Sequence, residues 1–425
     1  MRDWIHKGFA IGFFAIATLF FFWAMANNLN DILIRQFQKA LALSRGESGF
    51  LQFVFYLGYF VVALPAGLLI ARLGYRAGIL VGLAFYATGA LLFYPAAEIR
   101  EYWAFLGALF IIASGLAILE TAANPLIARF GPERFAAQRL NLAQAFNGFG
   151  AFLAPVVGGI FIFSGVELDT SQLAQMSSSE LESYRESEAR MVQAPYLALA
   201  GAITIIALLI AFVRLPETEG GGTDRQSAAN NAKQRPGLIE PLRIPHLRAA
   251  IVAQFFYVGA QVAIWSFFVD FAIEAGSGIN EKSAAFLLSL SLASFMIGRF
   301  LGTALMGRIA PAKLLSTFAI IACLLCLISL FTSGNVALVA LGATSFFMSI
   351  MFPTIFALGI ERTGECTALG SSYLIMAIIG GALFPPASGY LADLTNDIHT
   401  IALLPAISFL AVTIFALRYP ALLRA

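Results

Sequence analysis

The sequence predicts an all-α membrane protein of about twelve transmembrane helices arranged as two six-helix bundles. Three observations predict it. Of the 425 residues, 60% are hydrophobic and only 12% charged, against roughly 45–50% and about 25% in soluble domains, so lipid must be the solvent for much of the surface. Twelve stretches approach the ~20 mostly apolar residues that a helix needs to cross a bilayer, and helices satisfy their own N–H and C=O groups where hydrocarbon cannot. Finally, the pattern repeats: GAFLAPVVG at 150–158 and GALFPPASG at 381–389 share the opening Gly-Ala, a proline at the sixth position and a glycine at the ninth.

The expected spans of the first half are 8–34, 47–71, 77–97, 103–128, 140–164 and 192–213. Those of the second half are 247–272, 283–306, 312–332, 335–360, 367–391 and 400–419. The first span runs straight into the amide-rich ANNLNDILI rather than a small-residue cleavage site, so it reads as a retained helix and not a signal peptide. Between spans five and six, Glu167 to Arg190 is polar, with a Ser-rich start and an acidic pattern that predict a short solvated helix. After span six the chain becomes rich in Gly, Pro, Asn and charge, which marks a linker. The expected division is therefore an N-terminal bundle over 1–213, a linker over 214–246 and a C-terminal bundle over 247–425. Duplicated bundles of this kind are transporters whose substrate site lies near the bilayer midplane between the halves.

Eighteen of the 26 lysines and arginines fall on the side of the two termini, seven on the opposite side, and Arg299 falls inside a span. The positive-inside bias then puts both termini in the cytoplasm, in a bacterial-type inner (plasma) membrane crossed many times. A net charge of +2 gives no reason to expect nucleic acid as a partner. Cys323 and Cys326 have CxxC spacing within an apolar run that holds no histidine or second pair, so they read as helix packing. The sequence offers no catalytic constellation and no nucleotide-binding motif, and neither an enzyme nor a cofactor is expected.

A charge at the centre of a spanning helix costs about 2.5–3.5 kcal/mol on the insertion scale, and so marks a functional candidate. Three residues qualify: Asp31, beside Asn27, Asn28 and Asn30; Glu120, mid-span in LFIIASGLAILETAANPLIARF; and Arg299, in FMIGRFLG. Desolvation disfavours a carboxylate's charged form, so such a group can exchange protons near neutral pH, which proton coupling requires. Arg299 stays protonated and needs an acceptor. The other midspan polarity is amide and aromatic, including Asn124, Asn141, Gln144, Asn147, Gln254, Gln261, Tyr257 and Trp265. Singly, each amide reads as a helix contact. As a set they suit a hydroxyl-rich solute, since amides both donate and accept while aromatics offer a flat apolar face.

At these residues the chain resembles the fucose/proton symporter family and its glucose/galactose branch, within the major facilitator superfamily. The resemblance spans nearly the whole chain, through ANNLNDILIRQFQKA, FYLGYF, LETAANP, RLNLAQAFNGFGA, AQFFYVGAQVAIWS, IGRF, PTIFALGI and IIGGALFPP. It implies the major facilitator fold, Glu120 as the protonation site, Asp31 as a sugar and coupling contact, and Gln144 and Asn147 as sugar-facing amides. Two departures stand out. The loop GLLIARLGYRAG has Ala71 where many superfamily members carry Asp. Span ten reads SIMFPTIF, so Met351 and Phe352 put apolar groups where the fucose branch has a donor/acceptor pair, as in the glucose/galactose branch.

The expected proton-coupling residues are thus Glu120 and Asp31, and the expected substrate-binding set is Asp31, Asn28, Asn124, Gln144, Asn147, Gln261, Arg299 and Phe352. The expected activity is proton-coupled import of L-fucose or a related hexose by a monomer, with sugar, protons and the lipid bilayer as its partners. Glucose/galactose or N-acetylglucosamine transport is the alternative, and a sugar sensor without net transport is an alternative of another class.

Overall fold

A computed structural model describes residues 4–40, 45–161, 175–216, 237–275 and 279–424. The first half comprises α1 (Ala10–Ala40), α2 (Arg45–Ile99), α3 (Tyr102–Arg129), α4 (Ala136–Phe161), α5 (Ser178–Arg190) and α6 (Gln193–Phe212). The second half begins with α7 (Pro245–Ala275), α8 (Glu281–Leu305), α9 (Pro311–Phe331), α10 (Gly334–Met348) and α11 (Met351–Ile360). It ends with α12 (Thr367–Met376), α13 (Gly380–Thr395) and α14 (Leu403–Leu422). Most of the expected linker, 217–236, and the start of the polar insert, 167–174, lie outside the described residues.

Ten described helices are long and apolar enough to cross a membrane. One of them, the 47 residues of Phe53–Ile99, is about 70 Å long at 1.5 Å per residue, more than twice a hydrocarbon core of ~30 Å. It contains two of the expected spans, and the chain turns between them at Gly74, whose φ of 83° favours glycine. With α4, which carries the expected span at 140–164, the described helices are consistent with twelve crossings.

Two expected spans are each built from two helices. The span at 335–360 is interrupted between Met348 and Met351. Pro353 has no N–H and its ring crowds the carbonyl four residues back, so the helix yields at Ser349 and Ile350. The span at 367–391 changes to a 3-10 turn over Ala377–Ile379 before the glycine pair Gly380-Gly381.

The sequence repeat has a packing counterpart. α4 packs on α1, and α13 packs on α7. A Cβ on Gly150 would stand 2.2 Å from Phe21 O, and one on Gly380 would stand 2.2 Å from Phe255 O. Gly150, which heads its repeated segment, and Gly380, one residue before the head of the other at Gly381, therefore each admit a main-chain carbonyl of the first helix of their own half. The halves meet where α4 touches α8 and α11, and where α2 and α3 touch α12.

The solvated helix expected in the polar insert is α5. Ser177 and Glu180 close a capping box at its start, and those hydrogen bonds hold the Glu180 carboxyl below the usual carboxylate range. An Arg100–Glu182 ion pair and an Arg190–Glu98 ion pair of 3.1 Å fasten α5 to the end of α2.

At the end of the bundle that carries both termini, Arg139 is fully buried. Its guanidinium donates to five main-chain carbonyls: Ile127 O at 3.2 Å, Trp4 O at 3.0 Å, Pro132 O at 3.1 Å, Gly131 O at 2.9 Å and Ala128 O. Four of these carbonyls belong to the last turn of α3 and the residues just after it, where a helix end leaves carbonyls unpaired; one fork thus seals α3 and ties the N-terminal segment to it. Arg139→Met should lower the unfolding free energy in detergent by about 3–5 kcal/mol, the range for removing one partner of a buried charged group. Arg139→Lys should recover only part of it, because an ammonium lacks the planar fork. Thermal and denaturant unfolding of both variants at wild-type values would show that the clamp contributes nothing.

Candidate functional site

The centre of the molecule is built around α3, which is buried without interruption from Ile112 to Ile127. Glu120 lies in that stretch at 2% exposure, and neither carboxylate oxygen has a hydrogen-bond partner among the described residues. One turn further on, at the i+4 position of the same face, Asn124 is fully buried and its Nδ2 is likewise unpartnered. Its Oδ1 accepts from Gln144 Nε2 of α4 at 3.4 Å, beyond the usual 2.7–3.2 Å and therefore weak. Trp23 Nε1 of α1 donates to Tyr59 Oη of α2 at 2.7 Å, and Tyr59 lies within electrostatic range of Glu120.

Arg299 belongs to this cluster. It is 4% exposed, so it does not snorkel to an edge. Nε donates to Ser349 O at 2.8 Å and Nη1 to Gln144 O at 2.7 Å, while the guanidinium lies 4.5 Å from the centre of the Phe295 ring. The first acceptor follows from the sequence: Pro353 cannot donate to Ser349 O, so that carbonyl is left for Arg299. Next to it, Met348 O accepts from Tyr257 Oη at 3.1 Å. Because Gln144 belongs to the first half and Ser349 to the second, Arg299 bridges the halves.

Two more α4 amides reach across. Gln138 Nε2 donates to Thr303 O at 3.1 Å, and Asn141 Nδ2 donates to Thr354 Oγ1 at 3.1 Å. Gln138, Asn141 and Gln144 are three residues apart, so they form a stripe on one face of α4. Trp4 Nε1 supports the first rung by donating to Gln138 Oε1 at 3.0 Å.

Of the expected site residues, Glu120, Asn124, Gln144 and Arg299 are thus brought together. Asn28 donates to its own helix at Ala24 O, 2.8 Å away. Asn147, Gln261 and Phe352 are half-buried, and the Phe352 ring stacks on Phe356 with centroids 6.4 Å apart. Asp31 lies on α1, but its side chain is outside the described residues. Tyr59, Thr354 and the Ser349 carbonyl were not expected; only the position of Pro353 signals the last. Gln254 is fully buried with both amide atoms unpartnered among the described residues. Trp265 Nε1 donates to Ser345 Oγ at 3.1 Å. Cys326 is buried in α9, and Cys323 Sγ lies 3.4 Å from Ala406 O of α14, so both pack between helices.

The arrangement holds a carboxylate in an apolar stretch, neutral amides beside it and a cation satisfied by carbonyl dipoles. It can take up and release a proton and offer hydrogen bonds to an uncharged polar solute.

The chain matches the Major Facilitator Superfamily model over residues 9–374. It is 46% identical to the L-fucose-proton symporter of Escherichia coli (strain K12) over 411 residues, covering 96% of this chain and 93% of that protein. It is 38% identical to the glucose/galactose transporter of Brucella abortus biovar 1 (strain 9-941) over 413 residues, covering 97% and 95%. Among solved structures, a Major Facilitator Superfamily transporter, FucP, in the outward conformation superposes with a TM-score of 0.89 at 45% identity, over 97% of this chain and 99% of that one. The proton:xylose symporter XylE shares the fold, with a TM-score of 0.70 at 13% identity over 97% and 96%. With that model spanning most of the sequence and relatives matched nearly end to end, the chain belongs to the Major Facilitator Superfamily.

Proposed function

We propose that this protein is a proton-coupled sugar importer that works by alternating access between its two halves, and that its sugar is L-fucose or a related hexose. It acts as a monomer in the inner membrane, with both termini in the cytoplasm, and its units are the N-terminal bundle 1–213, the linker 214–246 and the C-terminal bundle 247–425. The observation that carries this reading is Glu120: a buried carboxylate without a partner among the described residues, one turn from an amide cluster that reaches the other half. The printed activities of its relatives, L-fucose-proton symport and glucose/galactose transport, agree with that chemistry.

In this reading Glu120 carries the proton and Asp31 couples it to the sugar. Asn28, Asn124, Gln144, Asn147 and Gln261 supply hydrogen bonds to hydroxyls, and Phe352 supplies an apolar face. Arg299 holds Gln144 in place and bridges the halves without carrying the proton. Phe352 also favours a second reading of the substrate, glucose or galactose, because an aromatic ring without a hydroxyl stands where the fucose branch has a polar pair.

Uptake of labelled L-fucose, glucose, galactose and N-acetylglucosamine into proteoliposomes under an inward pH step tests the activity and names the sugar. Saturable binding without accumulation or exchange of any of them would favour a sensor. Glu120→Gln mimics the protonated form, so gradient-driven accumulation should vanish while sugar binding and sugar/sugar exchange persist; Asp31→Ala should weaken binding itself. A Glu120→Gln protein that still concentrates sugar after a pH step would transfer the coupling role to Asp31. Arg299→Lys should lower transport about tenfold or more, since each hydrogen bond to a charged group contributes about 1.5–3 kcal/mol and an ammonium cannot span both carbonyls. Normal affinity and transport in Arg299→Ala would remove it from the site.

A further inference from the structure

At the end of the bundle that carries both termini, a cleft of about 1070 Å³ opens between the halves. Its lining includes Pro125 and Ala128 of α3, Ala137 of α4 and Met306 at the end of α8. Glu120, Asn124 and Ala128 follow one another at intervals of four residues, so they lie along one face of α3. From Glu120 to Pro125 is about 7.5 Å along the helix axis at 1.5 Å per residue. On the face shared with Glu120 the cleft-lining residue is Ala128, about 12 Å and two turns along the axis, with Asn124 midway between them.

We propose that this cleft is the port through which the proton leaves Glu120, that the route follows the Glu120–Asn124–Ala128 face of α3, and that Ala128 keeps its mouth open. The inference rests on the proposed coupling role of Glu120. Buried polar groups are as a rule hydrogen-bonded, yet Glu120 Oε1 and Oε2, Asn124 Nδ2 and Asn141 Oδ1 all lack a partner among the described residues. Asn141 borders the same region, since its Nδ2 reaches Met306 Sδ at 3.5 Å. These atoms can orient a short file of water. The Gln144–Asn124 contact of 3.4 Å is weak enough to exchange for water when the halves rearrange. The amides do not titrate. The carboxyl O–H bond breaks, the carboxylate stays on Glu120, and the proton passes to water and emerges in the cleft as hydronium.

Few titratable groups face the route among the described residues. Tyr59 of α2 faces Glu120 electrostatically. Arg139 and Arg299 of α4 and α8 are bound to main-chain carbonyls. α11 has no titratable residue, and the one on α12, Tyr373, donates to Leu238 O at 2.7 Å. The cleft itself is lined by five arginines against two glutamates, so a proton that reaches it is not retained there and passes on to bulk water.

The test compares wild type, Glu120→Gln and Ala128→Leu in proteoliposomes, with initial uptake driven by a pH step, a trapped pH-sensitive dye and sugar/sugar exchange as readouts. Exchange uses the protonated carrier in both directions and needs the same opening of the halves, but no proton release. Ala128→Leu should slow pH-driven uptake and the dye signal at least tenfold while exchange stays within twofold, and Ala128→Ser should match wild type. Wild-type uptake in Ala128→Leu, or an equal loss of uptake and exchange, would overturn the port. If Ala128→Leu does not fold, Ala128→Val carries the same comparison with the same two outcomes. Retained accumulation in Glu120→Gln would instead remove the coupling reading, so the two failures are distinguishable.

Discussion

Hydrocarbon cannot hydrogen-bond, and the polar core of this protein is organised by that constraint. A polar atom inside the bilayer must find its partner within the chain. Arg299 shows the consequence. Its guanidinium is satisfied by two carbonyl dipoles, one released by Pro353 and one on α4, rather than by a carboxylate. Had it paired with Glu120, the attraction of opposite charges would have held that carboxylate ionised, and a carboxylate locked in one state cannot cycle a proton. Satisfying the cation with backbone leaves the acid free.

The same constraint governs what could be read from the sequence. The spans were legible because twenty apolar residues have few other uses, and Glu120 was legible because a carboxylate in such a run stands out from its surroundings. The interruptions at 349–350 and 377–379 were not, since hydropathy is blind to backbone path and both halves of each broken span remain apolar. Arg299 was recognisable as costly, but its acceptors were not, because every residue carries a carbonyl. Arg139 was invisible: at the edge of a span it looks like any arginine in an inner loop, and only the folded end of α3 gives it five acceptors. Tyr59 was hidden by numbers, as one aromatic among 40 Phe, 12 Tyr and 4 Trp.

The two halves repeat in packing but not in chemistry. In each, a glycine within a later helix takes a carbonyl of the first helix at close range, at Gly150 and at Gly380. Glu120 and its amide neighbours belong to the first half, whereas the cation that bridges the halves, Arg299, belongs to the second. Duplication thus supplies two similarly packed halves, and divergence places the buried carboxylate and the bridging arginine on opposite sides of the interface.

The strength of the bridges suits that motion. The rungs at Gln138 and Asn141 are single hydrogen bonds between neutral groups, each contributing about 0.5–1.5 kcal/mol. The Arg299 bridge is stronger, but its acceptor on the other half is one carbonyl rather than a charge. With Ala71 in the loop position where an aspartate would lock a charge pair, these side-chain rungs are neutral or one-sided. A single elementary charge crossing 100 mV supplies about 2.3 kcal/mol, the same order as two such neutral rungs. One proton's worth of gradient is thus comparable to the two neutral rungs, whereas a buried salt bridge deprived of one partner costs about 3–5 kcal/mol.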